Sequence, residues 1–247
     1  MAPTVRRREA RFSVDGRGQP GHVASHGIER IFALFSAARG KRIFHPEGVV
    51  WSGRLSVNDS FPGSLRGTLT CEIRLSRAFG LPVAVGDFYG LAIRAYPSDR
   101  DVLDLLFASS FGGALGKWVP CPHRNTPPRL TLSALLPYAT TAHPRRSVAV
   151  GAHVTPGPAV AWESMIRAAT PPEAIALWTA APFGPPIVCG AVDGFALAPP
   201  GRGDDLRFNP WHAPPGLRPA GSINKLRRPA YRGSQRGRST GKDRASF

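Results

Sequence analysis

The chain has 247 residues, 42% of them hydrophobic, which is enough to bury the core of one domain of ordinary size. Its net charge of +16 rests almost wholly on arginine, because only Lys41, Lys117, Lys225 and Lys242 are lysines. No run of about 18 apolar residues is present to span a bilayer, and Cys71, Cys121 and Cys189 are too widely spaced for a disulfide framework or a paired zinc site.

Residues 1–25 are rich in Arg, Gly, Pro and Ser and lack periodicity, so they are expected to form a disordered basic arm. Met1–Arg11 carries four arginines with no apolar segment behind them, unlike a secretory leader. With the unpaired cysteines, this points to a reduced, cytoplasmic protein. Ile28, Ile31, Phe32, Phe35 and Ala38 recur at spacings of three and four and predict an amphipathic helix that stops at Gly40. The period then changes to two. Val49, Trp51, Leu55 and Val57 share one face of a strand, as do Leu69, Cys71, Ile73 and Leu75 of the next, with Thr70, Glu72, Arg74 and Ser76 opposite. Further strands are expected at 90–96, 102–108, 147–154, 175–181 and 187–197, and a short helical turn at Leu132–Leu136. The stretch from Phe208 to Pro219 reads as a proline-rich loop. A helix begins near Leu226 with Pro229 in its first turn. Residues 240–247 form a second basic tail, which leaves 26–239 as a single domain.

Two groups of residues carry chemistry. On the C-terminal helix, Arg227, Tyr231, Gln235 and Arg238 fall on one stripe. A free phenol is ionised only about once in a thousand at pH 7, whereas an arginine one turn away and a ferric ion both favour phenolate. Near the other end, His45 precedes Pro46, which holds the histidine in extended backbone as a candidate acid–base group. Arg74 and Ser76 face the same way, and a serine hydroxyl can fix a histidine tautomer. Cys121-Pro122-His123 reads as loop. The aromatic residues are not interleaved with the arginines, which argues against a nucleic-acid stacking platform.

Five segments, in order, resemble the haem catalases. Arg42-Ile43-Phe44-His45 with Gly48 and Gly53 resembles the distal-histidine segment, and Ile73-Arg74-Leu75-Ser76 the strand whose serine orients that histidine. Tyr89–Tyr96 resembles the strand that follows. Phe208-x-Pro210 and Pro215-Gly216-Leu217-x-Pro219 resemble the loop before the ligand helix, and Arg227-x-x-x-Tyr231-x-x-Ser234-x-Arg236-x-Arg238 resembles that helix. The resemblance covers residues 28–240, without the family's long insertions or C-terminal domain.

It implies a β-rich α+β fold: a closed antiparallel β-barrel with a few flanking helices and haem b against its outer wall. Tyr231 would hold the iron, with Arg227 keeping it a phenolate. His45 would be the distal acid–base, oriented by Ser76, and Arg42, Arg74 and Arg238 would meet the propionates. Two positions depart from the family. Ala108 stands where an asparagine helps bind peroxide, and Gln235 replaces a histidine.

The expected function is therefore a haem-dependent peroxidase acting on peroxide or an organic hydroperoxide with a small reductant, with weak catalase activity. A non-enzymatic haem-binding or degenerate barrel is the alternative, and a basic nucleic-acid-binding protein a third. Homo-oligomerisation is left open.

Overall fold

The computed structural model describes residues 47–82, 84–124, 129–157 and 160–220. Among the described residues there are eleven strands: β1 (Glu47–Val57), β2 (Gly67–Arg77), β3 (Tyr89–Tyr96), β4 (Leu103–Gly112), β5 (Lys117–Pro120), β6 (Leu130–Ser133), β7 (Tyr138–Thr140), β8 (Ser147–Thr155), β9 (Ala174–Ala180), β10 (Ile187–Leu197) and β11 (Leu217–Pro219). Three short helices accompany them among the described residues: α1 (Gly113–Gly116), α2 (Trp162–Arg167) and α3 (Arg202–Asp205).

Eight strands close into an antiparallel barrel in the order β1-β2-β3-β4-β6-β8-β9-β10, with β10 returning to β1. Every neighbour in this ring is also the next ring strand in sequence, except at the β1–β10 seam. The alternation in the sequence has a direct cause. Val49, Trp51, Leu55 and Val57 point inward and meet Cys71, Ile73 and Leu75 from β2 in one continuous core. Leu91 and Ile93 of β3 and Leu105 and Phe107 of β4 continue it. Helix α2 adds Trp162, Met165 and Ile166 to the same core, and Trp162 stacks edge-on to Tyr89 at 6.2 Å. The interior is thus filled by side chains.

Further strands flank the ring, and Tyr138 and Leu217 from two of them join its core. Strand β5 pairs with β4, and its Trp118 packs on Trp178, Ala149 and Ala180, which face outward. Strand β11 pairs with β7. Its approach needs glycine on both sides, because Gly63 and Gly216 both have positive φ and a Cβ on Gly216 would fall 2.9 Å from the Gly63 Cα.

The expected barrel is present, and the long strands lie where the period-two pattern put them. The expected turn at Leu132–Leu136 is overturned. Leu130 and Leu132 are both fully buried in β6, hydrogen-bonded in register to β8 and, through Leu132 and Ser133, to β4. Leu135 then takes φ 57 and ends the strand. The helices expected at 28–39 and from Leu226, and the two basic tails, lie outside the described residues. No helix among the described residues is long and apolar enough to cross a membrane.

Candidate functional site

The outer wall of β1–β4 carries Arg74 and Ser76 and is the candidate site. Strand register lines its outward side chains into rows across the sheet. One row runs Gly48, Ser76, Gly90, Ala108 and Ser133. The next, two residues along each strand, runs Val50, Arg74, Ala92 and Leu106. Across β1 to β4 the rows span three strand spacings, roughly 14 Å. Glycine and alanine occupy Gly48, Gly90, Ala92 and Ala108, which make a low ledge beside Val50, Arg74 and Leu106. Arg74 supplies its charge. A Cβ on Gly48 would come within 2.8 Å of the Arg74 Nη2, so glycine there makes room for the guanidinium.

Ser76 is buried, and its hydroxyl donates to the Gly90 carbonyl at 3.3 Å. A serine hydroxyl can donate one hydrogen bond and also accept, for instance from an imidazole N–H. Ala108 lies two strands from Ser76 in the same row and offers a methyl group where an amide would donate.

A third row bounds the ledge with charge: Ser52, Glu72, Arg94 and Asp104. Asp104 is fully buried and takes a bidentate pair from Arg94, Nε–Oδ1 and Nη2–Oδ2 both at 2.8 Å. It also accepts the Asn209 amide at 2.7 Å, while its own amide donates to the His212 carbonyl at 2.6 Å. Arg94 lies 5.2 Å from the Phe208 ring centroid. The Phe208–Pro210 segment is therefore pinned to the barrel wall beside the ledge. Arg202 of α3 grips Glu72 through two bonds of 2.5 and 2.8 Å, and Tyr96 donates to the same carboxylate. The Arg202 hydrogen bond holds the Glu72 carboxyl below its ordinary value. A Cβ on Gly203 would lie 3.5 Å from Val50 and 3.9 Å from Arg74, so α3 stands at the edge of the ledge.

Of the residues expected at the site, Arg74 and Ser76 are described, and they sit side by side on the ledge. Arg42, His45, Arg227, Tyr231 and Arg238 lie outside the described residues. Sequence reading missed the Arg94–Asp104 anchor, although the two residues stand at matching alternate positions of consecutive strands. It also left His123 in a loop, where the structure gives it a buried ring nitrogen. Among the described residues no group of three or more His, Cys, Asp or Glu side chains is arranged to hold a metal ion. Burial pushes the Cys71 and Cys189 thiols up to about 12, and raises Cys121 as well. Such thiols stay protonated and unreactive.

No family model matches the sequence, and no curated protein matches it. Solved structures do. A fungal catalase shares 13% identity at a TM-score of 0.51, over 88% of this chain and 62% of its own. A bacterial catalase shares 13% identity at a TM-score of 0.48, over 89% of this chain and 64% of its own. The chain spans less than two thirds of either protein. At this identity the likeness is one of fold: the barrel is catalase-like.

Proposed function

We propose that this catalase-like barrel binds haem b on the outer ledge of β1–β4 and works as a haem-dependent peroxidase on hydrogen peroxide or an organic hydroperoxide, in the cytoplasm. The observation that carries the reading is the pair of rows itself. A planar apolar ligand needs a stretch of wall with small side chains, and Gly48, Gly90, Ala92 and Ala108 supply one beside Val50 and Leu106. A ligand with carboxylates needs a cation at its edge, and Arg74 supplies one, joined in this reading by Arg42 and Arg238. Among the described residues, Arg74 and the small-residue row support this reading.

Tyr231 would hold the iron, with Arg227 stabilising the phenolate. When bound, haem supplies the redox chemistry at iron, and the protein supplies orientation and proton handling. His45 takes the proton from the peroxide O–H and returns it to the leaving oxygen. Gly48, three residues after His45, is paired with Ser76. Ser76 accepts from one ring nitrogen and fixes which nitrogen is basic. Ala108 donates nothing to a bound peroxide, so oxidation of a second peroxide suffers and a small organic reductant completes the cycle.

The test is a hemin titration of wild type and Tyr231→Phe. A stoichiometric Soret band with high-spin ferric character, lost or reshaped in the variant, supports the reading. An unchanged spectrum in Tyr231→Phe overturns the ligand assignment. Ala108 also favours a second reading, a barrel that binds haem without turnover. Dye oxidation no faster than with free hemin, and indifferent to His45→Ala, would select it.

A further inference from the structure

Strand β2 ends at Arg77 and β3 begins at Tyr89, and the turn between them is apolar and exposed. Phe79, Gly80, Leu81, Pro82, Ala84 and Val85 all face solvent, and none has a polar side chain. Phe79 is 40% exposed, Leu81 37% and Val85 63%. Phe79 packs edge-on to Phe88, with ring centroids 6.1 Å apart. Single exposed apolar residues are ordinary, whereas a contiguous group marks an interaction surface.

The backbone of this turn is already bonded within the protein. Asp87 is 1% exposed, and its carboxylate accepts the amides of Phe79 at 3.2 Å, Leu81 at 3.0 Å and Phe88 at 2.7 Å. Arg77 donates to the Leu81 carbonyl and lies 3.5 Å from the Asp87 carboxylate, so the buried charge is balanced. The Val85 amide donates to the Pro82 carbonyl at 3.0 Å, and Pro82 has no N–H. A backbone group taken out of water without a partner is costly, which keeps most surface loops out of an apolar medium. Here the three large exposed side chains stand on residues whose amides are bonded internally.

Positive charge stands beside the turn. The Asp87 backbone exchanges two hydrogen bonds with His123, of 2.8 and 3.0 Å. The next residue, Arg124, is exposed and lies against the loop: a Cβ on Gly86 would fall 3.3 Å from its Cγ. A bilayer with anionic headgroups suits both features, because it takes up apolar side chains without hydrogen bonds and attracts basic residues at its surface. A protein partner suits them less. Specific interfaces make about one hydrogen bond per 100–200 Å², and the side chains of this turn can make none.

We propose that the β2–β3 turn is a membrane-docking tip: Phe79, Leu81 and Val85 enter the interface of a bilayer, and Arg124 meets an anionic lipid headgroup beside them. The docking does not depend on haem.

The full chain carries the test. Val85→Cys places a reactive thiol at the tip, because Cys71, Cys121 and Cys189 are buried. An environment-sensitive dye attached there should shift its emission to the blue when phosphatidylcholine vesicles containing phosphatidylserine are added. Leu81→Asp in the labelled chain should weaken vesicle binding about tenfold or more, and Arg124→Gln about fivefold. Urea unfolding checks that each variant is folded. Co-sedimentation of unlabelled Val85→Asp, at the most exposed of the three positions, should show the same loss independently. Binding that leaves the dye in water and is indifferent to Leu81→Asp and Val85→Asp would mean that arginines elsewhere hold the vesicle, and would overturn the tip. A dye shift that appears without vesicles and grows with protein concentration would instead make the tip a contact between copies of the chain. Unchanged affinity in Arg124→Gln would strike the headgroup contact, and failure to bind vesicles at all would overturn the proposal outright.

Discussion

A methyl group at position 108 decides much of the chemistry proposed for the ledge. Ala108 shares a row with Ser76, so an amide there would face the same ligand as the serine's partner. Ala108→Asn should therefore raise oxygen release from peroxide relative to dye oxidation, measured side by side in the hemin-loaded protein. An unchanged ratio would show that the methyl is not what limits that step. Gly151 illustrates the opposite constraint. A Cβ there would overlap the Trp178 ring and the Leu132 carbonyl, and neither can yield. Gly151→Ala should cost about 1–3 kcal/mol or more in urea unfolding. His153 links a single residue to pH. Burial, helped by Arg129, lowers its pKa from 6.5 to about 4. The unfolded chain binds the proton first, so stability should fall as pH drops from about 6.5 toward 4, and His153→Gln should flatten that limb.

At the scale of elements, the ledge depends on how the Phe208 segment is held. Asp104 is buried and paired with Arg94, and breaking a buried pair by removing one partner typically costs about 3–5 kcal/mol. Asp104→Asn should lower stability by an amount of that order and speed amide exchange at Asn209. Unaltered exchange there would mean that the segment is held by something else. The long strands were legible because one face of each is buried: in β2, Cys71, Ile73 and Leu75 alternate with Thr70, Glu72 and Arg74, as a barrel wall requires. The face that bears Arg74 and Ser76 was legible for the same reason. Strand β4 runs past its expected end because Ser109, polar in sequence, is buried by donating to the Cys121 carbonyl and accepting the Tyr89 amide. Strand β6 was misread because Leu132, Leu135 and Leu136 imitate helical spacing, whereas pairing on both sides imposes period two. Strands β5, β7 and β11 hold three or four residues each, too few for any period to register. The buried His123 nitrogen was illegible for a different reason: only the Asp87 bridge turns a loop histidine inward.

The barrel of the described residues is a ring with seven local joins and one distant one. At that seam, Gly190 lets β10 approach β1, since a Cβ there would come within 2.6 Å of the Ser56 carbonyl. Gly190→Val should push the strands apart, and amides of β1 and β10 should lose exchange protection together while β2–β4 keep theirs. Uniform loss would instead mean that the barrel opens only as a unit. The seam also sets a timetable. Ser52 and Ala196 stand 144 positions apart, and ribosomes add about 5–20 residues per second. In a nascent chain β1 therefore waits roughly 7–30 s for its partner, with an unpaired edge open to any other strand. Yield in the cell should thus depend on chaperones that guard β1 during synthesis, even where the finished ring is stable.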